Sequence, residues 1–193
     1  MKYPDIQKRA EAEGAQIFWG DETGINNQEY YIRGFSPKGV TPVVPYHTKV
    51  QKINMISAIS MKGICNFMCY EENMTQQLFI EFMQQLVYLS DRKVFFIVDN
   101  LKVHHGKIVQ EWLKNHKDEI EVFYTPPYSP EINPDEYLNH CLKKCVHSGI
   151  LPRTSSDILN KVLDFMSNLQ KIPEKVISLF CHKNLDYIRQ CAI

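Results

Sequence analysis

The sequence lacks a surplus of either charge. Lys plus Arg number 22 and Asp plus Glu number 22 among 193 residues. A self-sufficient nucleic-acid-binding domain is usually basic, so this balance neither demands nor excludes a polyanionic partner. The chain also lacks a signal-peptide pattern, and no apolar run approaches membrane-spanning length, so neither a leader nor a membrane anchor is expected. It has no internal repeat and no low-complexity segment. Its six cysteines, at 65, 69, 141, 145, 181 and 191, lack the two-residue spacing of a zinc finger. Cys141-x-x-x-Cys145-x-His147 invites a zinc reading, but Cys141 and Cys145 would share one helix face, which suits packing equally well. Reduced cytosolic thiols are the default for a chain of this size.

What is present is the material of one domain. An apolar share of 44% supports a sizeable core. The most telling stretch is Lys93-Val-Phe-Phe-Ile-Val-Asp99-Asn100. Five apolar residues, rich in β-branched and aromatic side chains, predict a strand buried on both faces. It ends abruptly in a carboxylate, and polar work in open α/β sheets is done just beyond the carboxyl ends of strands. Asp-Asn is also good turn chemistry, so on this stretch alone Asp99 has two readings. Ala15-Gln-Ile-Phe-Trp-Gly-Asp21-Glu22 repeats the pattern, with Thr23-Gly24 expected to break the strand.

The remaining pattern predicts a helix near 5–13, a strand-like Tyr30–Arg33, and a turn-rich loop over Gly34–Gly39. Thr41–Pro45 reads as an edge or loop arm. A hairpin is expected from Lys52–Met61 and Gly63–Tyr70. The three-and-four spacing of Leu78, Phe79, Phe82, Met83, Leu86 and Leu89 predicts a helix opening at Asn73–Thr75. A further helix spans Gly106–His116, with Ile108, Val109, Trp112 and Leu113 inward, and a strand spans Ile120–Tyr124. The proline-rich Thr125–Pro134 approaches another helix, with Asn133 as N-cap and Pro134 at its first position, running to about Val146. Ser155 or Ser156 would cap a helix to Gln170, and Pro173 opens a last one. The sum is an α/β fold: a mixed central sheet flanked by helices, with a C-terminal helical extension.

Three acids stand out together. If the strands ending at Asp21 and Asp99 lie side by side and parallel, their carboxylates converge, and Glu136 on the first turn of a later helix can join them. Three converging carboxylates do not all stay ionised without a cation. An all-oxygen donor set suits Mg²⁺ or Mn²⁺, and two such ions ~3.5–4 Å apart would serve phosphodiester displacement. Glu136 has a structural alternative, because Asn133-x-x-Glu136 has the pattern of a capping box.

At these residues the chain resembles the catalytic domain of DDE transposases of the mariner-like superfamily, in its bacterial insertion-sequence branch. The resemblance rests on Phe-Trp-Gly-Asp21-Glu22-Thr-Gly, Arg33-Gly-Phe-Ser-Pro-Lys-Gly39-Val-Thr-Pro, Phe-Ile-Val-Asp99-Asn100-Leu-Lys-Val-His104, and Pro127-Tyr-Ser-Pro-Glu-Ile-Asn-Pro-Asp-Glu136-Tyr-Leu-Asn. The last two are highly specific in combination. The resemblance implies a ribonuclease-H-like fold, two divalent metal ions, and DNA strand cleavage followed by strand transfer. It assigns Asp21, Asp99 and Glu136 as the catalytic, metal-holding acids. Glu136 follows Asp99 by 37 residues, slightly long for the superfamily. Phe35 and Asn139 stand where many relatives carry Trp.

The same resemblance implies DNA partners, namely terminal inverted repeats and target DNA, together with a homodimer in the active complex, no membrane, and a cytoplasmic, nucleoid-associated setting. It divides the chain into a catalytic domain at 1–150 and a helical extension at 151–193 packed on it. Members carry an N-terminal helix-turn-helix region, and Met1-Lys-Tyr-Pro falls just before the catalytic domain. An excised fragment or truncated reading frame is therefore expected, with weak, salt-sensitive DNA binding. Arg33, Lys38, Asn100, Lys102, His104 and Lys143 are the candidate DNA contacts. Each has a plainer reading as turn, cap or solvated helix face. A same-fold nuclease without strand transfer, or an inactive binding module, are the alternative functions.

Overall fold

The computed structural model of the protein describes residues 3–28, 36–40, 49–126 and 129–189. Five strands form one mixed sheet: β1 (Gln16–Asn26), β2 (Lys52–Ile59), β3 (Cys65–Tyr70), β4 (Val94–Val98) and β5 (Ile120–Tyr124), in the order β3-β2-β1-β4-β5. β1 is the pivot. It pairs antiparallel with β2 on one side and parallel with β4 on the other. The antiparallel half closes by a tight turn in which Gly63 takes φ +81°, a conformation that costs glycine little. The parallel half needs crossovers, which α2 (Gln76–Leu89) and α3 (Lys107–Asn115) provide.

The unbroken apolar run of β4 follows from its place. Phe95 and Ile97 face one core, with α1 (Tyr3–Glu13), α4 (Pro134–Val146), α5 (Ser155–Gln170), α6 (Pro173–Ser178) and α7 (Asp186–Arg189) on that side. Val94, Phe96 and Val98 face the other, beneath Phe79, Phe82, Met83 and Leu86 of α2 and Val109 of α3. A central strand with two cores has no polar position to offer. Each large side chain so enclosed stabilises the fold by roughly 1.5–3 kcal/mol.

Residues beyond 150 share the first core. Ile158, Val162, Met166 and Phe180 pack with Trp19, Ile25 and Leu142. The Tyr187 hydroxyl donates to the Ile132 carbonyl at 2.7 Å, and its ring meets those of Tyr3 and Trp19 edge-on.

Several expectations are corrected. β1 does not break at Thr23-Gly24. It runs on to Asn26, because β2 continues as its partner from Asp21↔Ser57 to Asn26↔Lys52, and a neighbouring ladder overrides local turn chemistry. Ile108 is 57% exposed, and only Val109 of the expected inward set is fully enclosed. α5 is capped by Thr154, not by Ser155 or Ser156. Thr154 Oγ1 accepts from the Asp157 N–H and the Asp157 carboxylate accepts from the Thr154 N–H. The tail is not one helix but α6, two short 3-10 turns at Leu179–Cys181 and Lys183–Leu185, and α7. The expected Tyr30–Arg33 strand, the Thr41–Pro45 arm and Arg33 itself lie outside the described residues.

Candidate active site

The acids are brought together by register. β1 and β4 pair in parallel up to Trp19↔Ile97. Continued two positions, that register sets Asp99 beside Asp21. β4 stops at Val98, so Asp99 leaves the ladder half-exposed, whereas Asp21 stays inside β1 and is buried. Gly20 permits the close packing just before it: a Cβ there would stand 2.5 Å from the Phe96 ring and 2.6 Å from the Ser57 carbonyl.

Glu136 arrives on the first turn of α4. Asn133 caps that helix by accepting from the Asp135 N–H at 3.0 Å, and its Nδ2 donates to the Gly20 carbonyl at 3.0 Å. One side chain therefore starts α4 and pins it to β1 a residue before Asp21. The Asn133 N–H donates to the Pro130 carbonyl at 2.9 Å. The capping-box alternative therefore has no free N–H for Glu136 to reach. Asp21, Asp99 and Glu136 instead line one cleft of about 400 Å³, floored by Asn133 and walled by Thr125 and Pro130.

Charge in this cleft is badly matched. Burial raises the pKa of Asp21 well above its ordinary value, and Glu136, Asp135, Glu22 and Asp99 add to the rise. Burial also raises Asp99, with Glu22 adding and His104 opposing. Glu136 is raised by burial, against the pull of Lys143. Asp135 is fully buried, and its pKa is pushed up to about 8 by desolvation although Ser57 Oγ donates to its Oδ2 at 2.7 Å. Raised carboxyls in a cleft mark a functional-site candidate.

The donor set fits a hard divalent cation. In the cleft Asp99 Oδ1 is buried without a hydrogen-bond donor, as are Asp135 Oδ1 and Asn139 Oδ1 outside its lining, and the lining offers oxygen ligands: the carboxylates of Asp21, Asp99 and Glu136 beside amide and hydroxyl groups. Asp21, Asp99 and Glu136 are the residues that would hold it. Glu22, Asp99 and His104 also lie close, with ligand atoms within 4.8 Å of one another. They make a poor chelate. Glu22 Oε1 meets His104 Nε2 at 2.7 Å, while Asp99 meets Nδ1 through its carbonyl at 3.1 Å and Oδ1 at 3.5 Å. Both ring nitrogens are already engaged by these oxygens, so an ion at this second group would have to displace those contacts.

The other sequence candidates divide. His104 is a correction: it is 0% exposed and bonded as above, so a DNA phosphate cannot reach it. Asn100 is exposed at the cleft, its Oδ1 2.5 Å from His105 Nε2. Lys102 is exposed at the start of a 3-10 turn spanning Lys102–His105, and Lys38 is exposed beside Gly39. Lys143 is half-buried on α4 and acts on Glu136 through its charge. Asn139 donates from Nδ2 to Asp21 Oδ2 at 2.9 Å. Sequence reasoning passed over that role, although its position three residues after Glu136 puts it on the same helix face. Cys141 and Cys145 are exposed free thiols, and no thiolate metal cluster occurs among the described residues. A larger cavity of about 560 Å³ between α4, α5 and α6 is mainly apolar and contains none of these acids.

This strand order, with acids within β1, just after β4 and on α4, defines a ribonuclease-H-like domain. Solved structures carry the likeness. The Mos1 strand transfer complex matches with a TM-score of 0.67 and 19% identity over 97% of this chain and 56% of that one. The pre-cleavage Mos1 transpososome matches at 0.66 and 16%, over 95% and 60%. The catalytic domain of Mos1 mariner transposase matches at 0.58 and 15%, over 95% and 89%. At such identities the likeness is one of fold. The sequence profile of the DDE superfamily endonuclease family matches residues 16–159, and the chain belongs to that family. An insertion element IS630 uncharacterized 39 kDa protein of Shigella sonnei is 27% identical over 165 residues, which are 81% of this chain and 46% of that protein. The chain thus spans about half the length of this curated relative. No helix of the described residues is long and apolar enough to cross a membrane.

Proposed function

We propose that this chain is the catalytic core of a DNA transposase that cuts phosphodiester bonds at element ends and joins the freed 3′-hydroxyl to target DNA. The observation that carries this reading is the meeting of Asp21, Asp99 and Glu136 in one cleft, where among the described residues too few cations balance them. In this reading the three acids hold Mg²⁺ or Mn²⁺, as a pair of ions. Other support is that solved Mos1 paired-end complexes include one with Mn and one with Mg. Bound ions would activate the attacking oxygen and take up charge on the leaving one.

The chain's own groups do the rest. Asn139 orients the Asp21 carboxylate, and Asn133 fixes α4 against β1 so that Glu136 stays over the cleft. Arg33, Lys38, Asn100, Lys102 and Lys143 grip phosphates of the terminal inverted repeats and of target DNA. With no net charge, that grip is weak and falls steeply with salt. A second copy completes a homodimeric complex at the nucleoid of a bacterial cytoplasm. Residues 1–150 form the catalytic unit and 151–193 an extension on it.

The test is a strand-transfer assay with Mn²⁺ and a precleaved end oligonucleotide. Joined products that vanish with Asp99→Asn are expected. Cut products without joined ones would reduce the function to a nuclease. DNA binding with neither product, at any Mn²⁺ concentration, would leave a binding module.

A further inference from the structure

His104 does more than fill space beneath α2. Its ring is fully enclosed and stacks on Phe79 at a centroid distance of 4.1 Å. The groups around the ring are oxygens: Glu22 Oε1 at 2.7 Å from Nε2, the Asp99 carbonyl at 3.1 Å from Nδ1, and Asp99 Oδ1 at 3.5 Å from Nδ1 as a charge contact without a hydrogen bond. Nδ1 donates to the Asp99 carbonyl, which can only accept, and Nε2 is hydrogen-bonded to the Glu22 carboxyl, so both ring nitrogens are engaged. The backbone of His104 is held as firmly. Its N–H donates to the Leu101 carbonyl at 3.1 Å, and its carbonyl accepts from the Tyr124 hydroxyl at 3.1 Å and Gln110 Nε2 at 3.3 Å. Glu22 is anchored in β1 directly after Asp21, and successive strand residues point to opposite faces. Glu22 and His104 thus approach from the α2 side of the sheet, while α4 closes the cleft from the other.

Asp99 needs such help. It has left the ladder of β4: the Leu101 N–H donates to its carboxylate, while Oδ1 accepts no hydrogen bond and lies 3.5 Å from His104 Nδ1. A carboxylate that must meet an ion has to be held within about 0.5 Å of its working position.

We infer that Glu22 and His104 form a strut that positions the Asp99 carboxylate for metal binding, with His104 as a positioning residue and Glu22 as the anchor that orients its ring. This rests on the metal reading of the cleft proposed above.

The test is Mn²⁺ affinity of the 193-residue chain, from the electron paramagnetic resonance signal of free Mn²⁺, with folding checked by circular dichroism. His104→Ala is expected to weaken Mn²⁺ binding by roughly tenfold or more, the effect typical of losing a group that orients a ligand. His104→Gln, whose amide can still donate to one side, should recover part of the loss. Glu22→Ala should weaken binding by several-fold, Glu22→Gln by less because its carbonyl still accepts, and the double Ala variant no more than His104→Ala. A purely structural His104 would lower the melting temperature of the metal-free chain and leave Mn²⁺ affinity unchanged. If His104→Ala does not fold, Glu22→Ala and Glu22→Gln decide. Wild-type affinity in folded His104→Ala, or in Glu22→Ala, alongside loss in Asp99→Asn, overturns the strut and leaves the metal site standing. Wild-type affinity in Asp99→Asn overturns both.

Discussion

The two ends of the β1–β4 pair treat charge in opposite ways. At the end where β1 and β4 begin, cations meet anions one for one. Arg9 bridges Glu13 at 2.9 Å and Glu121 at 2.7 Å, Lys93 bridges Glu13 at 2.6 Å, and Arg9 lies over the Phe95 ring. At the other end Asp21, Glu22, Asp99, Asp135 and Glu136 gather, and among the described residues only His104, on Asp99, and Lys143, on Glu136, oppose the rise in their pKa by charge. The first arrangement is surface structure, exposed and screened by salt. The second raises carboxyl pKa values and leaves buried oxygens without donors, which a fold built for stability alone would avoid.

The contrast can be broken in order of expected effect. Asp99→Asn should lower Mn²⁺-dependent strand cleavage roughly a thousand-fold, since a metal site supplies several kcal/mol of charge stabilisation. The same change should leave the metal-free chain as stable as before or more so, read as its melting temperature. Next, Mn²⁺ at about a hundred times its dissociation constant should stabilise the wild-type chain by about 2.7 kcal/mol. Asp21→Asn should largely remove that shift in a thermal melt.

Third comes pH, measured in chelator so that no cation intervenes. The folded-state pKa of Asp135 is about 8, above the ordinary ~3.9 of an unfolded aspartate. A raised carboxyl favours its neutral form in the fold, so its contribution is complete below about pH 4 and is lost as pH climbs toward 8. Denaturant melts should show stability declining over that window, and Asp135→Asn should flatten the decline. The smallest effect belongs to the matched end. Arg9→Ala should lower the melting temperature slightly and leave Mn²⁺ affinity unchanged.

Much of this was legible in the sequence, for identifiable reasons. Val94–Val98 announced a two-faced strand because both of its faces meet apolar cores. Pro134 after Asn133 marked the start of α4 because proline's fixed φ and missing N–H suit that place alone. The parallel pairing of β1 with β4 was a guess about partners, and it is what brings Asp21 to Asp99. What stayed hidden depends on neighbours distant in sequence. The extension of β1 past Asp21 needs β2 to supply a ladder. Thr154 displaces Ser155 as a cap because Asp157 answers it three residues on, a reciprocal pattern present in the sequence and overlooked. From sequence His104 reads as a DNA contact or as packing or capping at a helix start, and only Phe79 and Glu22, brought in by other elements, show what encloses and bonds it.

The central claim is that the mismatched end of the sheet is a divalent-cation pocket. Anomalous diffraction from crystals of this chain soaked in Mn²⁺ tests it most directly. The account predicts anomalous density within coordination distance of the Asp21, Asp99 and Glu136 carboxylates. Density on Glu22 and His104 alone, or none in the cleft at millimolar Mn²⁺, would contradict it.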